Sequence, residues 1–94
     1  MRLTDAEISS RLQFLPDWRV ESGVLSRTFA FEDFLSSLTF VNRVGELAER
    51  VGHHPDIDIR YNKVKLALIS HDLGGLTERD FQLAAALDQI PTKN

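Results

Sequence analysis

The chain has no cysteine, no long apolar run and no excess of positive charge among its 94 residues. Without cysteine, disulfide bonds cannot support the fold, and thiolate ligation of a metal is excluded. No apolar stretch approaches the roughly 20 residues that span a bilayer, so we expect no membrane-spanning helix. No basic segment followed by an apolar run opens the chain, which predicts no signal peptide and a cytoplasmic location.

Positive charge is scarce, since 11 Lys and Arg residues stand against 14 Asp and Glu residues, for a net charge of -3. A nucleic-acid-binding protein needs a basic face, so we expect no nucleic-acid partner. No repeat or linker divides the chain, which predicts a single domain over residues 1–94. A domain of this size buries a limited core, and without disulfides self-association is the common remaining source of buried area.

What the sequence does contain is an alternation of helix and strand patterns. Thr4-Asp5-Ala6-Glu7 fits a capping box that begins a short first helix. Two short strands around Glu21-Ser22-Gly23 follow. Apolar and polar residues alternate over 56–61 and again over 64–69, which predicts two further strands, and Thr77-Glu78-Arg79-Asp80 can cap a last helix. The predicted fold class is α+β in the order α-β-β-α-β-β-α, with one antiparallel sheet and helices on one face.

The longest predicted helix, from Phe31 to Val51, has an apolar arc wider than one surface helix needs. Gly52 is its stop signal. One apolar stripe should cover the sheet, and the other either meets a second subunit or lies buried within the chain; the limited core favours the subunit. The first stripe contains Phe34, Leu38, Val41 and Ala48, and the second contains Phe40, Val44, Leu47 and Val51.

All three histidines of the chain fall between residues 53 and 71. If the last hairpin turns near Asn62, paired residue numbers sum to about 124, so His71 lies across from His53 or one residue away. The long helix ends beside His53 and His54, and its partial negative charge, together with Glu49, favours protonated imidazole. The sequence therefore predicts that three imidazoles meet at one end of the hairpin.

Three interpretations of this cluster remain open: a general acid–base site, a zinc site with an open position, and structural histidines. Adjacent His53 and His54 would point to opposite faces of a strand, which weakens the zinc interpretation. Asp80 is either a helix cap or a carboxylate that orients a histidine. Tyr61 and Trp18 are predicted to lie in the core, Tyr61 because it shares the strand parity of two isoleucines.

The spacing of these residues resembles the signature of the pterin-4a-carbinolamine dehydratases. In that pattern a glutamate precedes His-His-Pro, and an aromatic residue, a third histidine and an aspartate follow. The resemblance extends from Leu12 to Ile90, and one departure is Gly52, where animal members carry an acidic residue. The positions that carry it are Glu49-Arg50-Val51-Gly52-His53-His54-Pro55, Tyr61, His71 and Asp80, supported by Trp18, Tyr61-Asn62-Lys63-Val64 and Gly75-Leu76-Thr77-Glu78-Arg79-Asp80.

The resemblance implies four antiparallel strands with helices on one face, dimers or tetramers, no metal and no organic cofactor. It implies a lyase that dehydrates the 4a-hydroxy adduct of a tetrahydropterin to the quinonoid dihydropterin. That adduct is the product of aromatic amino-acid hydroxylases, so a hydroxylase is a candidate partner. Animal members also act as dimerisation partners of a transcription factor, so the second hypothesis is a non-catalytic binding role for the long helix.

The resemblance also implies roles for individual residues. His54 and His71 are expected to exchange protons with the substrate. His53, supported by Glu49, is expected to bind the hydroxylated ring, and Asp80 to orient a histidine. The expected substrate contacts are Pro55 and the segment formed by Ser70, His71, Asp72 and Leu73.

Overall fold

The computed structural model describes residues 1–92, and within them lie three α-helices and four β-strands. The order α-β-β-α-β-β-α is the predicted one. Residues 93 and 94 of the predicted 1–94 domain lie outside the described part. The elements are α1 (Asp5–Leu12), β1 (Arg19–Glu21), β2 (Val24–Ala30), α2 (Phe34–Val51), β3 (Asp56–Arg60), β4 (Lys63–Leu68), a 3-10 turn (His71–Leu73) and α3 (Glu78–Leu87).

The four strands form one antiparallel sheet in the order β1-β2-β4-β3. A two-residue turn joins β1 to β2, and both of its residues, Ser22 and Gly23, have positive φ angles of 51° and 77°. Along β4 the side chains of Val64, Leu66 and Leu68 are fully buried, whereas the alternating residues Lys63 and Lys65 are exposed. This alternation shows that the helices cover one face of the sheet, as predicted.

Helix α2 packs against the sheet through residues spaced three or four apart, which lie on one face of a helix. Phe40, Val44 and Ala48 are buried there, and the ring centroid of Phe40 lies 4.6 Å from that of Phe29. Ala48 therefore shares a face with Phe40 and Val44, not with the stripe predicted for it. The other apolar residues of α2 are half-buried or exposed: Phe34, Leu35, Leu38, Val41, Leu47 and Val51.

Trp18 lies in the core, which confirms its prediction. Its indole N–H donates to Oδ1 of Asp88 at 2.9 Å, and the same oxygen accepts from Arg27 at 2.6 Å. At the opposite end of α3, Arg11 of α1 donates to Glu78, and this contact lowers the pKa of the Glu78 carboxyl. Side-chain contacts therefore hold both ends of α3 in place.

The prediction that Tyr61 lies in the core is wrong, because Tyr61 is 66% exposed. Arg60 pairs with Lys63, so Tyr61 is the first residue of the turn and has a φ of 52°. In the hairpin predicted around Asn62, the numbers of paired residues sum to 124, whereas in the structure they sum to 123. Tyr61 therefore lies in the turn, beyond the last pair of strand residues, Arg60 and Lys63. None of the helices in residues 1–92 has the length and apolar character needed to cross a membrane.

Candidate active site

Two of the three histidines follow directly after helix α2. Gly52 ends the helix in the left-handed conformation, with a φ of 71°, and its N–H donates to the carbonyl oxygen of Ala48. The N–H of His53 donates to the same oxygen at 3.2 Å. Such a left-handed ending suits glycine, which has no Cβ to clash. The tight turn sets His53 and His54 beside the negative end of the helix dipole.

The third histidine begins a small closed loop after β4. Ser70 and Gly75 pair across the base of this loop, with the N–H of Ser70 donating to Gly75 at 3.2 Å. The carbonyl oxygen of Ser70 also accepts from the N–H groups of Leu73 and Gly74. His71 is the first residue inside the loop and is exposed. The closed base therefore holds the backbone of His71 in a defined place without burying its ring.

Asp80 lies in the first turn of α3 and connects that helix to the histidines. Its side chain is fully buried, and its Oδ2 accepts from the backbone N–H of Thr77 and from the hydroxyl of Ser70, both at 2.9 Å. Its Oδ1 lies 2.6 Å from Nε2 of His53. Asp80 therefore takes part in the capping box of α3 and also contacts His53, so its contacts are compatible with both interpretations.

Glu49 contacts His54, whereas the sequence suggested that it supports His53. Its Oε2 lies 2.5 Å from Nε2 of His54, and both side chains are largely exposed. His53 instead meets Asp80, and its own side chain is only 13% exposed. Each of the two adjacent histidines therefore has its own carboxylate, one at the surface and one in the interior.

The three histidines line one cavity of about 300 Å³. This volume lies at the lower end of the range, about 300 to 1,000 Å³, that is typical of pockets that bind small molecules. A second cavity of about 150 Å³ shares His53 and Arg79 with it and has Val51, Leu83 and Ala86 in its wall. The lining of the larger cavity consists of Gly52, His53, His54, Ile69, His71, Asp72 and Arg79.

Of the residues expected to contact a substrate, His71 and Asp72 lie in the wall of this cavity. The structure places Pro55 in a buried position, and Ser70 behind the cavity and fully buried. Leu73 is exposed but is not among the described residues that line the cavity.

Arg79 is a lining residue that the sequence interpretation missed. It donates to Asp72 at 2.7 Å, and this contact lowers the pKa of the Asp72 carboxyl. Its position directly before Asp80, at the start of α3, was the available signal. The side-chain hydroxyl of Ser70 and that of Thr77 were also missed, because their contacts depend on how β4 and α3 pack. Within residues 1–92, no group of three or more His, Cys, Asp or Glu side chains is arranged to hold a metal ion.

Comparison with known proteins gives a consistent result. The family model described as Pterin 4 alpha carbinolamine dehydratase matches residues 1–90. A Chloroflexus aurantiacus protein named "Putative pterin-4-alpha-carbinolamine dehydratase" is 56% identical over 89 residues, which cover 95% of this chain and 96% of that protein.

Two solved structures are also similar to this fold. The crystal structure of a "transcriptional coactivator/pterin dehydratase" from Brucella melitensis has a TM-score of 0.89 and 31% identity, covering 94% of this chain and 96% of the other. A pterin dehydratase-like protein identified as a RuBisCO assembly factor in the alpha-carboxysome has a TM-score of 0.65 and 28% identity, covering 77% and 86%.

Proposed function

The chain belongs to the pterin-4a-carbinolamine dehydratase family, and from this premise we propose that it is a hydro-lyase acting on 4a-hydroxytetrahydrobiopterin. The products are water and the quinonoid dihydropterin, so the reaction supports recycling of the tetrahydropterin. The observation that carries the proposal is the single cavity lined by three imidazoles, two of which contact carboxylates.

Dehydration requires a proton on the departing 4a-hydroxyl, cleavage of the C4a–O bond and removal of a proton from N5. Imidazole suits both proton transfers because it titrates near neutral pH. We assign these transfers to His54 and His71, whose side chains are exposed in the cavity. His53, whose ring is more buried and lies against Asp80, binds the hydroxylated ring. The contact of Glu49 with His54 supports a proton-carrying role for that imidazole.

The direct test generates the carbinolamine with an aromatic amino-acid hydroxylase and follows its decay by absorbance. We expect the wild-type chain to accelerate the decay, and His54→Ala or His71→Ala to lose at least about tenfold in rate, because each removes one proton-transfer group. Glu46→Gln is the matched control, since Glu46 is exposed on α2 and contacts none of the histidines among the described hydrogen bonds. Unchanged decay in both folded histidine variants would refute the assignment.

The zinc interpretation has a separate test. Metal analysis of the purified protein is expected to find less than stoichiometric zinc, and treatment with a chelator is expected to leave the decay rate unchanged. One zinc per chain, with activity lost on chelation and restored by zinc, would replace acid–base catalysis with metal-assisted dehydration.

The proposal includes self-association into a dimer or tetramer and a cytoplasmic location, with an aromatic amino-acid hydroxylase as functional partner. Exposed apolar side chains support self-association. Leu35 on α2 is 72% exposed, and Ile57 and Ile59 on the edge strand β3 are also exposed. Cell fractionation tests the location.

The second candidate is a non-catalytic binding role for the exposed surface of α2. It is supported by the two similar solved structures, one described as a transcriptional coactivator/pterin dehydratase and the other as a RuBisCO assembly factor. A stoichiometric protein partner recovered by pull-down, together with absence of dehydratase activity, would favour this role. Activity that depends on His54 and His71 would favour the enzyme.

A further inference from the structure

Three buried polar side chains, those of Ser70, Thr77 and Asp80, are hydrogen-bonded to one another next to His53. The contact of Asp80 with the imidazole ring of His53 does not by itself require the other two. The hydroxyl of Thr77 lies 2.8 Å from that of Ser70, and Ser70 donates to Oδ2 of Asp80 at 2.9 Å. Ser70 and Asp80 have no exposed surface, and Thr77 is 4% exposed. We propose that Ser70 is a positioning residue that acts through Asp80 to fix the ring orientation and tautomer of His53. Its catalytic consequence rests on the proposed function.

The directions of these hydrogen bonds follow from the groups present. The N–H of Thr77 can only donate, and it donates to Oδ2 of Asp80, which also receives the hydroxyl hydrogen of Ser70. The hydroxyl of Ser70 has then used its one hydrogen, so the hydroxyl of Thr77 donates to it. Both donors meet Oδ2, and this leaves Oδ1 to accept from Nε2–H of His53 at 2.6 Å.

A histidine that donates from Nε2 has Nδ1 as its remaining ring nitrogen. In the neutral ring Nδ1 is an acceptor, and it is suited to a hydroxyl or N–H group of a bound ligand. If the side chain of Asp80 could swing away from Nε2, the ring would lose the acceptor that favours the Nε2–H tautomer, and the Nδ1–H tautomer would become accessible. Ser70 restricts this movement because its hydroxyl, together with the N–H of Thr77, anchors Oδ2 and so keeps Oδ1 against Nε2 of His53.

The helix cap does not account for this arrangement by itself. Capping α3 requires only that Asp80 accept from the N–H of Thr77. The Ser70 hydroxyl comes from the other wall of the site, at the base of the loop that carries His71. Ser70 therefore links the two histidines: its backbone closes the loop that carries His71, and its hydroxyl donates to the carboxylate that contacts His53. An unpaired hydroxyl at this depth would be costly. Within residues 1–92, every buried side-chain nitrogen and oxygen has a hydrogen-bond partner.

The test uses long-range ¹H–¹⁵N spectra of the imidazole rings, assigned with a His53→Gln variant. In the wild-type chain we expect His53 to be a single tautomer protonated at Nε2. Ser70→Ala should convert it to a mixture of tautomers, whereas Ser70→Thr, which keeps the hydroxyl, should restore the wild-type spectrum. Ser37→Ala is the matched control, because Ser37 is equally buried but its hydroxyl donates to the carbonyl oxygen of Asp33, the N-cap of α2.

In the decay assay, kcat/KM should fall about tenfold in Ser70→Ala and stay within about twofold of wild type in Ser70→Thr and Ser37→Ala. If Ser70→Ala does not fold, Ser70→Cys fills the site with a slightly larger side chain, replaces the strong donor by a weak one and should show the same mixture of tautomers. A folded Ser70→Ala or Ser70→Cys with the wild-type His53 spectrum would overturn the proposal. Since the spectra need no substrate, they test positioning even if the chain has no dehydratase activity.

Discussion

At the scale of single residues, the site depends on two carboxylates in opposite surroundings. Asp80 is fully buried and contacts Thr77, Ser70 and His53, whereas Glu49 is largely exposed and contacts only His54 among the hydrogen bonds described. Water screens the exposed pair, so it adds little to stability. The buried carboxylate has no such screening, and its loss would leave three donors without an acceptor.

Asp80→Ala should therefore destabilise the protein by about 3 kcal/mol, the cost of breaking a buried, hydrogen-bonded charged contact. The measurement is urea unfolding followed by circular dichroism. Asp72→Ala is the control, since the contact of Asp72 with Arg79 is exposed and its removal should leave the urea midpoint almost unchanged. If the urea midpoint shifted equally in the two variants, the buried contacts of Asp80 would contribute no more to stability than the exposed contact of Asp72.

At the scale of elements, the ends of α2 decide where the histidines stand. Asp33 caps its N-terminus by accepting from the N–H of Ser36 at 2.8 Å, and Gly52 ends it 18 helical residues later. These two signals determine the helix length and hence the position of His53 and His54 against α3. The left-handed φ of Gly52 explains why glycine fits at this position.

The cap at Asp33 predicts a pH dependence. The hydrogen bond from Ser36 lowers the pKa of Asp33 below its ordinary value of 3.8. Because the folded-state pKa is the lower one, the stabilisation is fully present above the ordinary value and is lost as pH falls through the folded-state value. Asp33→Asn keeps an N-cap acceptor but cannot ionise.

Urea midpoints measured at pH 7 and near pH 3 test this. The difference in urea midpoint between wild type and Asp33→Asn should be smaller at the lower pH, because the stabilisation by the charged cap diminishes as the pH falls below the ordinary value of 3.8. Asp33→Ala should be less stable than both at pH 7 because it has no cap. A difference that is the same at both pH values would contradict the role assigned to the charged form.

At the scale of the whole molecule, the fold leaves apolar surface uncovered on the side of the sheet where the helices pack. β3 is an edge strand, and its side chains Ile57 and Ile59 stay 39% and 36% exposed although they point to the same face as the core residues of β4. Natural edge strands are usually protected by charge or by pairing. A second copy of the chain would supply the missing cover.

We therefore expect the chain to have a mass of two or four copies in light scattering after size exclusion. In the double variant Ile57→Lys with Ile59→Lys, the measured mass should fall toward that of a single chain, because burying two lysine charges in an interface is unfavourable. Asp58→Asn is the control, since Asp58 lies on the opposite face of the same strand. A double variant that keeps the wild-type mass would place the interface elsewhere.

The sequence alone determined the order of the elements, the class of the sheet, the end of α2 at Gly52 and the clustering of the histidines near one end of the hairpin. It placed the start of α2 at Phe31, three residues before the observed start at Phe34. Periodicity, capping residues and turn residues are local properties of the chain, and these signals agreed with each other. The same signals were insufficient for Tyr61, because a register difference of one residue moved it from a predicted strand face into an exposed turn.

Only the tertiary structure decided which carboxylate meets which histidine. Glu49 pairs with His54, and His53 with Asp80, because the path of the chain after Gly52 and the packing of α3 set those distances. The same packing brings the hydroxyl of Ser70 to Asp80. Contacts between residues far apart in sequence depend on how whole elements meet, and no local pattern contains that information.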